Sequence, residues 1–287
     1  MDASAALELV RRTRRVQGWL SVEAAMLFAW IDEIQKSDGV AGDVFEIGVH
    51  HGKSALLLAA LLRPGRETLG VCDLFADQSR NLSGSGAGDR QIFEANMKAH
   101  AGSDLQMRIF AKPSSALTHE EIGANVRIFH IDGGHNVEEA LNDLQLAAAT
   151  TVDASVIVLD DPFRADWPGV THAAVRFLEE NRAFCAVAVG FNKMILTRRE
   201  VADRYAREID ATDQRAAHNI IYPWQLKVLP FMGHPLRIFH VPSYLSLHSL
   251  RSKAIRYHHF NRWTHVPVLA PVVYLAKVSL GRPRPGS

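Results

Sequence analysis

The chain has 287 residues, of which 47% are hydrophobic, so it can bury the core of one large domain with an extension. It contains no run of about 18 uncharged apolar residues, which argues against a membrane span. The N-terminal segment lacks the apolar stretch of a secretory signal, and two cysteines cannot form a disulfide framework. We therefore expect a cytoplasmic protein.

The formal net charge of +1 hides an uneven distribution. After Asp213 the chain carries ten Lys or Arg residues and no Asp or Glu, a charge of +10. The remainder carries 22 basic residues (32 − 10) against 31 acidic ones, a charge of −9. We expect the basic segment to contact the acidic body or an anionic ligand.

Strands and helices are predicted to alternate along the first two thirds of the chain. An N-terminal helix is predicted over residues 22–35, where apolar residues recur at helical spacing. Short β-branched runs predict strands at residues 44–47, 68–72, 105–110, 126–131 and 155–159, then a terminal pair at 185–190 and 193–197. The helices predicted between the strands cover residues 54–62, 90–101, 137–148 and 170–180.

This alternation indicates an α/β fold, in which a mostly parallel sheet has helices on both faces. We expect an N-terminal helical segment at residues 1–40, a core domain at 41–198 and a basic extension at 199–287. The extension is predicted to form short helices and loops that pack on the core. In such sheets ligands bind beyond the carboxyl ends of the strands, near the point where the strand order reverses.

A glycine turn follows the first predicted strand. Gly48 and Gly52 can adopt positive φ and approach a ligand closely, and the next helix offers free N–H groups to a carboxylate. The turn is not a P-loop, because Ile47 stands where that motif needs a glycine, and it is not a G-x-G-x-x-G motif. A purely structural turn is the alternative.

Asp73 ends the second predicted strand, where an acid can accept hydrogen bonds from both hydroxyls of a ribose. Alone, it is equally explained as a solvated strand end or a helix cap. Taken together, Glu46, Gly48, Gly52 and Asp73 favour a nucleoside ligand that has no pyrophosphate.

Two acidic motifs follow later strands. One contains Asp132 and His135, and the other contains Asp160 and Asp161, which precede Pro162 and its bias toward extended backbone. Carboxylate oxygens suit Mg²⁺ or Mn²⁺ rather than a tetrahedral zinc site. His135 lies one turn after Asp132 and can serve as a general base. The alternatives are a cofactor contact or helix cap for Asp132, and a plain turn before the proline.

The order Glu-Ile-Gly-x-x-x-Gly-x-Ser, Asp73, Ile-Asp-Gly-Gly-His and Leu-Asp-Asp resembles the class I S-adenosylmethionine-dependent methyltransferases. More narrowly, it is similar to the metal-dependent sugar O-methyltransferases of the macrocin type. The resemblance covers residues 41–198. It implies a Rossmann-like sheet of seven strands with an antiparallel hairpin strand, and it implies S-adenosylmethionine and Mg²⁺ (or Mn²⁺) as cofactors.

The resemblance also implies roles for individual residues. Gly48 and Gly52 would shape the cofactor pocket, with Glu46 and Ser54 near the methionine part and Asp73 on the ribose. Ser114 would lie near the adenine, although this chain has Pro113 where the family often has an acid. The implied metal ligands are Asp132, Asp160 and Asp161, and the implied base is His135.

The implied reaction is methylation of a hydroxyl on a glycoside, an oligosaccharide or a polysaccharide precursor. The partner is then a small-molecule or oligosaccharide acceptor, with no nucleic acid and with a homodimer as an option. One alternative is a catechol-type O-methyltransferase, and another is a non-catalytic nucleoside-binding scaffold that docks through its basic tail. An RNA base methyltransferase is disfavoured, because Asp-Gly-Gly-His replaces the Asn/Asp-Pro-Pro-aromatic motif.

Three features receive less specific interpretations. His130, inside a predicted strand, is interpreted as a core histidine. Trp167 is interpreted as a packed loop residue or as a wall of the acceptor pocket. The Ser/Gly segment at residues 83–88 is either a lid over cofactor and acceptor or a plain surface loop.

Overall fold

The computed structural model describes residues 1–75, 77, 79, 81, 84–102, 104–219 and 225–240. The chain divides into two compact units, Met1–Glu208 with Val228–Ile238, and Ile209–Lys227 with Phe239–Ser287. The candidate site lies in the first unit. Most of the predicted basic extension, residues 241–287, lies outside the described residues.

The described residues form helices and strands that alternate through the core, as the sequence predicted. The helices are α1 Ala3–Arg12, α2 Val22–Ser37, α3 Lys53–Leu61, α4 Arg90–His100, α5 His119–Ile122, α6 Val137–Thr150, α7 Pro168–Glu180 and α8 Arg199–Asn219. The strands are β1 Asp43–Ile47, β2 Leu69–Cys72, β3 Met107–Phe110, β4 Val126–Ile131, β5 Thr151–Asp160, β6 Phe184–Gly190, β7 Lys193–Arg198, β8 Gln225–Phe231 and β9 His234–His240. None of these described helices is long and apolar enough to cross a membrane.

The strands form one sheet in the order β3-β2-β1-β4-β5-β7-β6-β9-β8. The first five pair in parallel, whereas β7 is antiparallel to both β5 and β6. This arrangement confirms the predicted mostly parallel sheet with an antiparallel strand. The strand count differs, because β8 and β9 extend the predicted seven strands to nine in the described part of the chain.

The region after residue 198 therefore differs from the predicted short helices and loops. It begins with α8, a helix of 21 residues rich in alanine and charged side chains, which favour helix. Pro230 and Pro235, which suggested a loop-rich tail, lie within β8 and near the start of β9. Proline is tolerated in such positions because β8 is an edge strand and a strand's first residues need fewer ladder bonds.

The apolar core lies between the sheet and the helices α6 and α7. Phe129, Ile131 and Leu159 project from β4 and β5 into this layer, where they meet Leu144 and Phe177, and all are buried. Alternate residues of the same strands project to the opposite face. That opposite face carries the polar side chains of the candidate site.

A buried arginine connects the sheet to α2. Arg127 on β4 is fully buried and lies 3.1 Å from Asp32 and 3.0 Å from Glu67, and it donates a hydrogen bond of 2.7 Å to Gln35. Burial tends to raise the pKa of Glu67, but the hydrogen bonds and charge of Arg127 outweigh it and lower that pKa. The network satisfies a charge that would otherwise be costly to bury.

Candidate active site

A row of polar side chains crosses four neighbouring strands at one edge of the sheet, near the carboxyl ends of β1, β4 and β5 and at the start of the antiparallel β7. The register pairs Glu46 on β1 with His130 on β4, and Asp160 on β5 with Lys193 on β7. Asp132 follows two residues after His130, so both side chains project to the same face. Glu46, His130, Asp160 and Lys193 are all buried, which places a concentrated set of charges inside the protein.

Lys193 is the residue of this row that sequence reasoning missed. Its ammonium lies 2.5 Å from Asp160 Oδ2, while Asp160 Oδ1 accepts hydrogen bonds of 2.8 Å from the Asp161 N–H and from the Asn192 side chain. Burial tends to lower the pKa of Lys193, but the charges of Asp160 and Asp132 raise it, so the ammonium is retained. The only signal in the sequence is a lysine beginning an otherwise apolar strand.

Asp132 lies beside a small cleft that is also lined by His135, Asp160 and Val170. Burial raises the pKa of Asp132 well above its usual value, and the negative charge of Asp160 raises it further. A carboxylate in this environment gains from any additional positive charge placed in the cleft.

His135 is held by hydrogen bonds at both ring nitrogens. Its Nε2 lies 3.0 Å from Asp161 Oδ2, and its Nδ1 lies 3.1 Å from Ser85 Oγ. Burial tends to raise the pKa of Asp161, but hydrogen bonds from His135, Asn192 and Arg164 lower it, so its carboxylate is ionised. Nε2 therefore donates to Asp161, which leaves Nδ1 as the acceptor for the Ser85 hydroxyl.

The backbone at Asp161 differs from the extended conformation that the following proline suggested. Its φ of 59° lies in the left-handed region, which Asp tolerates better than most residues. The Asp161 N–H donates to the Asn192 carbonyl at 3.2 Å and to Asp160 Oδ1, so these contacts outweigh the local preference. The turn directs the Asp161 carboxylate toward His135.

Trp167 packs against the imidazole of His135. The two rings are stacked with centroids 4.2 Å apart and an angle of 22° between their planes. The indole also packs against the core between sheet and helices. It thereby restricts the rotation of His135 and covers one face of the ring.

Glu46 and His130 form a buried pair beneath the cleft. His130 Nδ1 lies 2.8 Å from Glu46 Oε1, and the edge of Phe28 contacts the imidazole with centroids 5.1 Å apart. Glu46 is fully buried, so it lies beneath the predicted cofactor pocket rather than on its surface. His130, interpreted from sequence as a core histidine, also approaches the acidic cluster.

The glycine turn after β1 lies directly against the turn after β4. Gly48 has a φ of 85°, and a Cβ there would overlap the carbonyl oxygen of Asp132. Gly52 has a φ of 92° and is the N-cap of α3, where no side chain caps the helix. The N–H groups of the first turn, near the buried Ser54, therefore remain available to an anionic group.

The carboxylate of Asp73 accepts hydrogen bonds from this turn, and the sequence predicts that it also binds a ribose. Its Oδ2 accepts hydrogen bonds of 2.8 Å from the N–H groups of Val49 and His50, and its Oδ1 accepts one of 2.6 Å from Phe75. A carboxylate offers about four acceptor positions, so about one remains. Asp73 thus holds the glycine turn in place, and its contact with a ribose stays a prediction.

Ser114 starts a short 3₁₀ helix and lies near Asp143 on α6, where its side chain tends to lower the pKa of that carboxyl. Asp143 was missed in the sequence, where it appears as an ordinary polar residue of an amphipathic helix. It is fully buried, and this burial raises the pKa of its carboxyl to about 7. The predicted adenine contact is thus tied to a buried acid.

The predicted metal and base residues converge on one place. Ligand atoms of Asp132, His135 and Asp161 lie within 4.8 Å of one another, and so do those of His130, Asp132 and Asp160. Carboxylate oxygens and neutral imidazole nitrogens are ordinary ligands of divalent cations. This donor set, with the raised pKa of Asp132, fits a divalent cation.

The sheet has mostly parallel strands in this order, an antiparallel strand next to β5 and a glycine turn after β1. Together these features define the class I methyltransferase fold. Residues 45–162 match a protein-family model described as "Methyltransferase domain". This match to the central part of the chain confirms the predicted resemblance to methyltransferases. No curated protein matches the chain.

Solved structures with the same fold include several methyltransferases. The O-methyltransferase NovP gives a TM-score of 0.53 at 16% identity, over 67% of this chain and 88% of NovP. An O-methyltransferase from Bacillus cereus in complex with SAH gives 0.47 at 16% identity, over 67% and 89%. CalS11, a TDP-rhamnose 3'-O-methyltransferase of calicheamicin biosynthesis, gives 0.44 at 13% identity, over 68% and 93%. At 16% identity the likeness to NovP shows the fold alone.

Proposed function

We propose that this chain is an S-adenosylmethionine-dependent O-methyltransferase that uses Mg²⁺ or Mn²⁺ and methylates a hydroxyl of a saccharide or glycoside. One observation carries the proposal. His135, oriented by Asp161, presents an acceptor nitrogen to a hydroxyl group beside a cluster of buried carboxylates. The choice of a sugar hydroxyl rests on the resemblance of the two acidic motifs.

S-adenosylmethionine supplies an electrophilic methyl group on a positively charged sulfur. The uncapped N-terminus of α3 suits the methionine carboxylate, and Gly48 lets the preceding turn lie against the backbone of Asp132. Asp73 retains about one acceptor position for a ribose hydroxyl. We assign the cofactor to this edge of the sheet, with Glu46, Gly52, Ser54 and Ser114 around it as the sequence predicted.

The cation would be held by Asp132, Asp160 and Asp161. Bound there, it supplies positive charge that favours the ionised form of a neighbouring hydroxyl. Asp161 also orients His135, and a carboxylate has enough acceptor positions for both tasks. Lys193 neutralises part of the charge of Asp160 and keeps that side chain in place.

His135 would take the proton of the acceptor hydroxyl at Nδ1. The hydrogen bond to Asp161 fixes the tautomer, and the stacked Trp167 fixes the plane of the ring. Ser85 Oγ, at 3.1 Å, shows that a hydroxyl can reach this nitrogen. A positioned general base contributes roughly 10² to 10⁴ in rate.

Replacement of the base tests this role. His135→Ala should reduce turnover by about 10²-fold or more while the affinity for S-adenosylmethionine, measured by calorimetry, stays unchanged. The exposed His119, changed to alanine, is the matched control and should retain turnover. Full turnover in His135→Ala would remove this residue as the base.

Chelation tests the cation. Methyl transfer should stop in EDTA and return when Mg²⁺ or Mn²⁺ is added in excess. The variant Asp160→Ala should stay inactive under both conditions. Robust activity of Asp160→Ala without added metal would contradict the cation's role.

The expected lid, the contact of the basic extension, the homodimer and the cytoplasmic location stay predictions. The segment Gly84–Gly88 is described and contacts His135 through Ser85, while Gly88 lies against Asp73, which supports a lid. Ser83 lies outside the described residues, as does the apolar segment at 266–280. The basic extension's contact, a homodimer and a cytoplasmic location also remain to be tested.

A further inference from the structure

The Glu46–His130 pair has two buried atoms that the fold leaves without a partner. Glu46 Oε1 binds His130 Nδ1 at 2.8 Å, but Glu46 Oε2 and His130 Nε2 have no hydrogen-bond partner among the residues that the structure describes. Both side chains are fully buried. An unsatisfied buried polar atom costs about 1 to 3 kcal/mol, so two of them in one pair need a reason.

The imidazole of His130 lies beside the acidic cluster. A ring nitrogen of His130 and one carboxylate oxygen each of Asp132 and Asp160 lie within 4.8 Å of one another. Since Glu46 occupies Nδ1, Nε2 is the nitrogen that remains available. His130 and Asp132 project to the same face of β4, and Asp160 ends the adjacent strand.

This arrangement is one that proteins use to hold metal-binding histidines. Such a histidine donates its second N–H to a carboxylate, which fixes the tautomer and makes the free nitrogen a better ligand. Here the donor is Nδ1 and the carboxylate is Glu46.

We propose that His130 is a nitrogen ligand of the divalent cation and that Glu46 is its positioning residue. The inference rests on the proposed function and names the class of metal. Mg²⁺ prefers oxygen ligands alone, whereas Mn²⁺ and its transition-metal neighbours accept imidazole together with carboxylates. The site therefore takes Mn²⁺ in preference to Mg²⁺.

The formal charge around the cleft agrees with a divalent ion. Four carboxylates face two basic side chains, and the two histidines are neutral in this count. These six side chains have a balance of −2, and the carboxyl groups of Glu139 and Asp143 lie against the glycines of the cleft, so the surroundings favour a cation. The carboxylates are Glu46, Asp132, Asp160 and Asp161, and the basic groups are Lys193 and Arg164.

The direct test is pulsed EPR on the full-length protein loaded with Mn²⁺. Electron spin echo modulation should reveal a ¹⁴N nucleus of a directly bonded imidazole in the wild type. The signal should vanish in His130→Gln, whose amide can still donate to Glu46, and persist in the control His135→Gln. Calorimetry should show Mn²⁺ affinity lowered by about 10- to 100-fold in His130→Gln, and Mg²⁺ affinity changed much less.

The wild-type spectrum tests for any imidazole ligand even where a variant does not fold, and the two variants decide between His130 and His135. Absence of ¹⁴N modulation, or its loss in His135→Gln with retention in His130→Gln, would overturn the assignment of His130. If Mn²⁺ binds without a nitrogen ligand while EDTA still stops methyl transfer, only this inference fails. If no divalent ion binds and methyl transfer runs in EDTA, the cation's role in the proposed function fails with it.

Discussion

Some residues of the site can be recognised from sequence motifs, whereas others reach the site only because of how the chain folds. Asp132, His135, Asp160 and Asp161 follow strands in recognisable patterns, and the structure brings them together. Lys193 reaches the same place because β7 pairs with β5, a register that no local pattern encodes. The charge of this site thus depends on a partner that lies 33 positions further along the chain than Asp160.

Asp161 is expected to control the orientation of His135. In Asp161→Asn the ionised acceptor for Nε2–H is lost, so turnover should fall by roughly 10² to 10⁴. The pH profile of turnover should shift as well, because the tautomer is no longer fixed. The affinity for S-adenosylmethionine, measured by calorimetry, should stay within about threefold of the wild type, since nothing in the assigned cofactor pocket changes.

The matched control for this change is Asp166→Asn. Asp166 binds the same guanidinium, that of Arg164, at 3.1 Å but is exposed. It should leave turnover and its pH profile unchanged. Equal losses in the two variants would show that the arginine pairing matters rather than the histidine.

The buried carboxyl of Asp143 should make the free energy of unfolding depend on pH. Its pKa is about 7 in the folded protein against an ordinary value of 3.8, so the folded state holds the proton more tightly than the unfolded chain does. The free energy of unfolding should fall by about 1.4 kcal/mol per pH unit between those two values and level off above pH 7. The contribution is fully present at low pH and is lost as the pH rises.

The variant Asp143→Asn should not lose this stability as the pH rises. Urea unfolding at about pH 4 should give similar stabilities, because asparagine resembles the protonated acid. At about pH 8 the variant should be the more stable of the two, by on the order of a few kcal/mol. A constant difference at both pH values would place the ionisation of Asp143 outside this range.

At the scale of elements, the glycine turn is the best-predicted part of the site. The strand β1, the turn and the helix α3 occur where the pattern placed them, within one residue at each end. The pattern did not reveal why Gly48 is needed. Its Cα faces the carbonyl of Asp132, so the turns after β1 and β4 are in direct contact.

Gly48→Ala is therefore expected to be severe. Alanine at positive φ costs about 1 to 2 kcal/mol, and the overlap with a backbone oxygen adds to it. Gly39→Ala separates the two effects, because Gly39 has a φ of 69° and nothing within 4 Å of a Cβ. Thermal unfolding should show a larger loss at position 48, with cofactor affinity lost only there. Equal losses would mean that the turns can move apart.

The elements that the sequence did not predict share a physical reason. Helix α8 and the strands β8 and β9 lie in a part of the chain that lacks the alternating apolar pattern. Strand β9 joins the sheet by pairing with β6. In this register Ala188 pairs with Arg237 and Val189 pairs with Ile238. Such non-local pairing depends on the edge that the core presents, which composition does not reveal.

At the scale of the whole molecule, stability should depend on the buried arginine rather than on surface charges. Arg127→Met removes the buried cation that Asp32 and Glu67 share and leaves them with Lys36 and Arg63 nearer the surface, which should cost up to about 3 to 5 kcal/mol. Arg204→Met removes pairs with Asp38 and Glu208 near the surface and should cost less than about 1 kcal/mol. Urea denaturation measures both, and similar costs would contradict the importance of burial.

The central claim is methyl transfer to a sugar hydroxyl that depends on a divalent cation. The most direct measurement incubates the full chain with S-adenosylmethionine and a panel of mono- and oligosaccharides, with EDTA, Mg²⁺ or Mn²⁺. Methylated sugar is detected by mass spectrometry, and a catechol serves as the comparison acceptor. The account predicts a methylated saccharide only when metal is present, with Mn²⁺ the more effective ion. Methylation of the catechol alone, or of a sugar in EDTA, would contradict it.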